Sequence, residues 1–240
     1  MQPKQIRSFI DARYWTRILG ACTMGETFGD YLSRGLHLGY GLGSLGLICL
    51  FAFVMALERR SKTPNEARYW VAIVVTSTTG TTMADFVTRT LKLGYGGGTA
   101  LLLILLGAIF LLWPRRRAEG NSEIMGLPST DARYWTGILV VSTLGTTLGD
   151  FASDGLGLGS ARAALALGAL FVAVLMVEYR AKVSSEARYW TAIVLASTIG
   201  ATTGDFLTKD DGLNLGYGLG SAILVGVFAV VYVAGGRRPK

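Results

Sequence analysis

Four aspartates stand at one position of a recurring pattern: Asp30, Asp85, Asp150 and Asp205, separated by 55, 65 and 55 residues. Two threonines precede each of them by seven and three residues: Thr23 and Thr27, Thr78 and Thr82, Thr143 and Thr147, Thr198 and Thr202. Spacings of four and three put a Thr-Thr-Asp stripe on one face of a helix. Carboxylates beside hydroxyls are hard oxygen donors, suited to a proton, Mg²⁺, Ca²⁺ or Mn²⁺. Glu26 adds a carboxylate one turn before Asp30, where the sister copies carry Thr81 and Thr146. Two close carboxylates do not both ionise cheaply, so this pair could instead share one proton. Glu26 and Asp30 are the candidate metal ligands. Glu26, the four aspartates and the eight threonines together are the candidate path for an ion or a substrate. A competing reading makes each Asp a helix cap or a partner for the backbone of the glycine turn that follows.

The elements that must position these groups also repeat. Ala-Arg-Tyr-Trp occurs at 12–15, 67–70, 132–135 and 187–190, each time after an acid, with its Arg 17 residues before the Asp. The chain is therefore four copies of one unit, in two pairs offset by 120 residues. A first helix is expected over 9–33, 64–88, 129–153 and 184–208. Capping signals stand at Ser8 with Asp11 and at Thr63-Pro64-Asn65-Glu66, and at shifted spacing at Ser129 and Ser184. A more uniformly apolar helix is expected to return over 38–58, 93–113, 157–178 and 215–234. Three of these open on Leu-Gly-Tyr-Gly, at 38–41, 93–96 and 215–218, and carry glycines four apart, suited to close helix packing. A potassium-filter reading of these strings lacks a preceding Thr-Val and room for a pore helix. Arg13, Arg68, Arg133 and Arg188, with the Tyr and Trp after them, are expected to anchor the helices at a membrane interface or to form a gate of Arg-acid pairs.

Hydrophobic residues make up 51% of the 240, charged residues 16%, and apolar runs near 20 residues recur. Such runs cross a hydrocarbon core of about 30 Å. The net charge of +7 does not point to nucleic acid, because the basic residues sit in short loops between the runs. Seventeen Lys and Arg fall on the side of the termini and four (Arg34, Arg89, Lys92 and Lys209) on the other, which predicts cytoplasmic termini. Seventeen residues of helix span about 25 Å, so each Asp is expected near the outer edge of the bilayer. No apolar stretch of a cleaved signal peptide is visible at the start. Cys22 and Cys49 suggest no disulfide framework, and the lone His37 falls in an outer turn. With no lysine inside a span, no histidine pair and no nucleophile-base-acid arrangement, the chain is expected to be neither an enzyme nor a cofactor carrier.

Ala-Arg-Tyr-Trp together with Gly-Thr-Thr-x-Gly-Asp-Phe resembles a bacterial family of integral membrane proteins made of tandem repeats of unknown function, described as uncharacterised membrane-anchored proteins. The likeness covers residues 11 to about 234 and implies a bacterial inner-membrane location without an activity. Glu26-Thr27-Phe28-Gly29-Asp30 is also similar to the acid-x-Gly-Asp signatures of cation/proton exchangers, with one extra residue before the glycine. The expectation is an all-α membrane protein of eight transmembrane helices, built from four two-helix repeats in parallel orientation. Residues 1–113 hold repeats 1 and 2, 114–127 are a cytoplasmic linker, and 128–240 hold repeats 3 and 4. The expected function is a proton-coupled transporter or channel for a small cation, including a divalent metal such as manganese. The alternatives are a carrier of a small organic solute and a non-transporting membrane scaffold. The expected partners are the lipid bilayer and a cation or proton, with monomer and homo-oligomer both left open.

Overall fold

Two kinds of helix alternate along the chain. In the computed structural model, which describes residues 12–60, 65–113, 128, 130–181 and 186–234, helices α1 (Ala12–Asp30), α3 (Glu66–Asp85), α5 (Ala132–Asp150) and α7 (Glu186–Thr208) carry the Ser, Thr, Gly and Asp columns. Helices α2 (Gly39–Arg60), α4 (Gly94–Leu112), α6 (Ser160–Ala181) and α8 (Tyr217–Ala234) are apolar almost throughout. The described residues contain no strand.

The helix starts are set by side chains that satisfy free backbone N–H groups. The Asn65 side chain accepts from Ala67 N at 2.9 Å at the head of α3, and Asp131 accepts from Tyr134 N at 2.7 Å at the head of α5. The caps expected at Ser8, Thr63, Ser129 and Ser184, the linker 114–127 and much of the cytoplasmic basic set lie outside the described residues. The first three inner helices end in a π-helical turn just after the Asp: Tyr31–Gly35, Phe86–Thr90 and Phe151–Gly155. In the fourth, α7 stays α-helical to Thr208.

The glycines expected to pack outer helices divide into two roles. Gly39, Gly94 and Gly216 have φ of +71°, +65° and +71° and open space around them, so they make the turn into the outer helix. Gly98 and Gly220 are packing positions, where an added Cβ would meet Thr88 at 3.0 Å and Thr208 at 2.6 Å. His37 belongs to the same turn, at φ +55°, where the sister units place Lys92, Gly157 and Asn214. The Gly-Tyr-Gly strings form the first turns of α2, α4 and α8.

The inner helices contact one another in a closed ring: α1 with α3, α3 with α5, α5 with α7, and α7 with α1. Tyrosines near their amino-terminal ends meet each other, so the four run parallel, as the tandem repeat predicted. Each outer helix covers the inner helix of the following unit: α2 lies on α3, α4 on α5, α6 on α7, and α8 closes the circle on α1. The two helices of one unit make few contacts with each other.

The tightest approaches lie in the inner ring. A Cβ on Gly25 would stand 2.3 Å from Ser77 Cβ, and the same relation holds for Gly80 with Ser142, Gly145 with Ser197 and Gly200 with Cys22. Buried Ile18, Ile73, Ile138 and Ile193 fill the core one turn beyond the tyrosines. The outer helices turn large apolar side chains outward, including Leu42 at 73% exposure, Ile104 at 71% and Leu165 at 75%. These four helices hold apolar spans of 18–20 residues with mean hydropathy of 2.0–2.1, long and apolar enough to cross a membrane.

Candidate functional site

Repeat-equivalent residues meet on the axis of the inner ring and form layers along it. The first layer is made by the tyrosines of the Arg-Tyr-Trp motif. Tyr14 Oη lies 3.0 Å from Tyr69 and 2.8 Å from Tyr189, and Tyr134 lies 2.6 Å from Tyr69 and 3.2 Å from Tyr189. Four hydroxyls closing four hydrogen bonds balance donors against acceptors, which a buried polar group requires. Each Tyr ring also packs edge-on against its own Trp and tilted against the next unit's, as Tyr69 does with Trp70 at 5.2 Å and Trp135 at 5.8 Å. These Tyr and Trp side chains are core residues rather than an interfacial aromatic belt, because four parallel helices bring them together at the axis. The sequence missed this ring, although Tyr at one column of four parallel units was its signal.

The motif arginines behave separately. Arg133 donates to Glu186 of the next unit at 2.9 Å, and Arg68 lies 3.4 Å from Glu58. Arg13 is exposed and Arg188 half-buried on the same end. Buried Arg17, one turn beyond Arg13, pairs with Glu66, donates to Tyr232 O at 3.0 Å and lies over the Trp70 ring.

Further along the axis, Cys22 Sγ sits 3.6 Å from Ser197 Oγ and 3.8 Å from Ser77 Oγ. Both cysteines are free thiols; Cys22 is buried and Cys49 exposed on α2. The next layer holds Glu26, Thr81, Thr146 and Ala201. Glu26 is 3% exposed, and its Oε2 accepts from Thr146 at 2.7 Å and Thr81 at 3.0 Å. No Lys or Arg lies within ion-pair distance of it among the described residues. A single column is thus acidic in one unit and hydroxylic in two others.

The paired-threonine stripe is not this axial column. Thr23, Thr78, Thr143 and Thr198 donate to the carbonyls of Leu19, Val74, Leu139 and Val194 on their own helices, at 2.8–2.9 Å. Thr27, Thr82, Thr147 and Thr202 likewise bond Met24, Thr79, Thr143 and Thr198 carbonyls. Their hydroxyls are used within the helix. The methyls of Thr82 and Thr147 face Gly43 and Gly98 on outer helices.

Asp30, Asp85, Asp150 and Asp205 form the next layer, each 1–4% exposed. They do not cap the turns that follow: Asp30, Asp85 and Asp150 make no side-chain cap bond there. Three of them pair with a cation four residues on. Arg34 reaches Asp30 at 3.2 Å and, across the unit boundary, both oxygens of Asp85 at 2.8 and 2.9 Å. Arg89 binds Asp85 at 2.6 Å. Lys209 binds Asp205 at 2.6 Å and lies 4.0 Å from Asp30. Burial works against the Lys209 ammonium, but Asp205, Asp150 and Asp30 outweigh it and raise its pKa above the usual lysine value. Unit three breaks the pattern, because Asp154 stands where the others place Arg or Lys; it accepts from Tyr95 Oη at 3.1 Å. One carboxylate oxygen each from Glu26, Asp30 and Asp205 lie within 4.8 Å of one another, a separation that could hold an ion. The Lys209 ammonium already stands against two of these three carboxylates, Asp205 and Asp30.

The four units match the family model described as Repeat of Unknown Function (DUF347), at residues 13–63, 68–119, 133–184 and 188–238. The chain belongs to this family. No curated protein and no solved structure is detectably similar to it. Each DUF347 match covers an inner helix and the outer helix after it, so the unit of sequence joins two helices that pack on different neighbours.

Proposed function

We propose that this protein is an integral membrane transporter of a small cation, coupled to protons, with all eight helices crossing the bilayer of a bacterial inner membrane and both termini in the cytoplasm. The observation that carries the reading is Glu26: a carboxylate on the axis, buried, hydrogen-bonded by two threonine hydroxyls and without a cationic partner. Ionisable groups at such depth are costly and mark ion or proton routes. The surrounding charge supports it: Glu26 and four aspartates stand against Arg34, Arg89 and Lys209, five buried acids to three cations. Protons or mobile cations must supply the rest of the balance.

The ring supports the reading of eight spans. The apolar helices lie along inner helices of 19–23 residues, about 28–35 Å each, which face protein and so tolerate Thr, Ser and Gly. The hydrogen-bonded tyrosines and the isoleucines beyond them close the amino-terminal end, which favours a gated carrier over an open pore. Lys209 among the oxygens of Asp30 and Asp205 disfavours a resident divalent metal such as manganese and favours protonation at Glu26. A scaffold reading draws on one observation, the Arg34 bridge that ties unit one to unit two. Flux separates them: the protein reconstituted in vesicles under an imposed pH gradient should move protons when a small cation is supplied, and a scaffold should move neither.

A further inference from the structure

The pseudo-four-fold frame defines four seats for positive charge at the acidic ring, each between one unit's Asp and the next. Arg34 fills the seat between Asp30 and Asp85, at 2.8–3.2 Å from both. Lys209 fills the seat between Asp205 and Asp30, at 2.6 and 4.0 Å. Arg89 belongs to the seat between Asp85 and Asp150, but its outer nitrogen turns to Tyr95 Oη at 3.1 Å, which in turn donates to Asp154. The fourth seat, between Asp150 and Asp205, would be filled from position 154, and that residue is an acid.

Asp150 therefore receives no cation from its own unit and none from the unit before. It is 4% exposed, and it makes no side-chain hydrogen bond or ion pair among the described residues. Its charged neighbours are Asp205, Lys209, Asp85 and Arg34, so its carboxylate belongs to the same ring as theirs. A buried carboxylate without a partner is strongly unfavourable.

We propose that a small monovalent cation from solution binds between Asp150 and Asp205, in the seat where the other units place a tethered guanidinium or ammonium. The class follows from the occupants of the filled seats, which are single-charge cations with hydrogen-bond donors. Asp154 at the outer side lowers the cost of approach for a cation and repels anions. The inference rests on the reading of this ring as a cation path and places a specific stop on it.

The test is the melting temperature of the purified full-length protein in detergent, at about pH 8.5, well above the usual carboxylate range, in sodium, potassium, ammonium or choline chloride at equal ionic strength. At least one small cation should raise it by about 2–4 °C over choline. Asp150→Asn should erase that rise. Asp154→Arg, which supplies the missing tethered cation, should erase it too while raising the melting temperature in choline. Equal melting temperatures in all four salts, or a rise that survives Asp150→Asn, would each overturn the proposal. If Asp154→Arg does not fold, Asp150→Asn decides alone. Flux in vesicles without a cation shift in melting would defeat this seat and leave the transport reading standing. A shift lost in Asp150→Asn without flux would do the reverse.

Discussion

Arg34 answers two carboxylates at once, one on its own helix and one on the next, and most of its side chain is buried. Removing one member of such a set leaves the others uncompensated, so Arg34→Gln should cost about 3–5 kcal/mol, read as a lower melting temperature; an unchanged value would show that the bridge contributes nothing. Tyr14→Phe removes the hydroxyl between Tyr69 and Tyr189 and should cost about 1–3 kcal/mol. It should also let protons leak through vesicles at rest, and a tight, fully stable Tyr14→Phe would show that the ring is not the closed end. Glu26 was legible in the sequence because a repeat exposes its own exceptions. The Asp-to-Arg spacing of four was equally present at Asp30 and Arg34, Asp85 and Arg89, and Asp205 and Lys209, but those cations read as loop charges that report topology. The threonine stripe misled for a physical reason. An inner helix is buried on nearly every side, so its polar periodicity does not say which face meets the axis.

Glycine spacing separates two demands at the scale of the helix. Where Gly25 meets Ser77, α1 and α3 approach so closely that a methyl group has no room, and Gly25→Ala should force the ring apart at about 1–3 kcal/mol. Gly46 on α2 has nothing within 4 Å, so Gly46→Ala should be neutral or slightly stabilising. Thermal unfolding of the two variants side by side checks this, and equal losses would contradict the packing described. Helix limits were legible to within a few residues because turn glycines and caps mark them. The π-helical turns after Asp30, Asp85 and Asp150 were not, since no residue type specifies them. Nor was the pairing of outer with inner helices, because a short connection allows a helix to fold back on its own unit or lean onto the next.

That leaning makes the whole molecule a closed circle, in which α8 covers α1 although their contacts span most of the chain. Gly20 on α1 faces Phe228 on α8 at 3.3 Å from an added Cβ, so Gly20→Cys with Phe228→Cys should form an intramolecular crosslink. Its absence under oxidation, with both thiols accessible, would open the circle. Four parallel helices, a hydroxyl ring at one end and an acid-rich ring at the other leave Glu26 between them, the group proposed to take and release charge. The decisive measurement is flux in sealed vesicles under an imposed pH gradient, following internal pH as sodium or potassium is added, for the natural protein and for Glu26→Gln. Cation-dependent proton movement is predicted for the natural protein and its loss in Glu26→Gln, with the melting temperature of the variant retained. Equal flux in both, or none in the natural protein, would contradict the account.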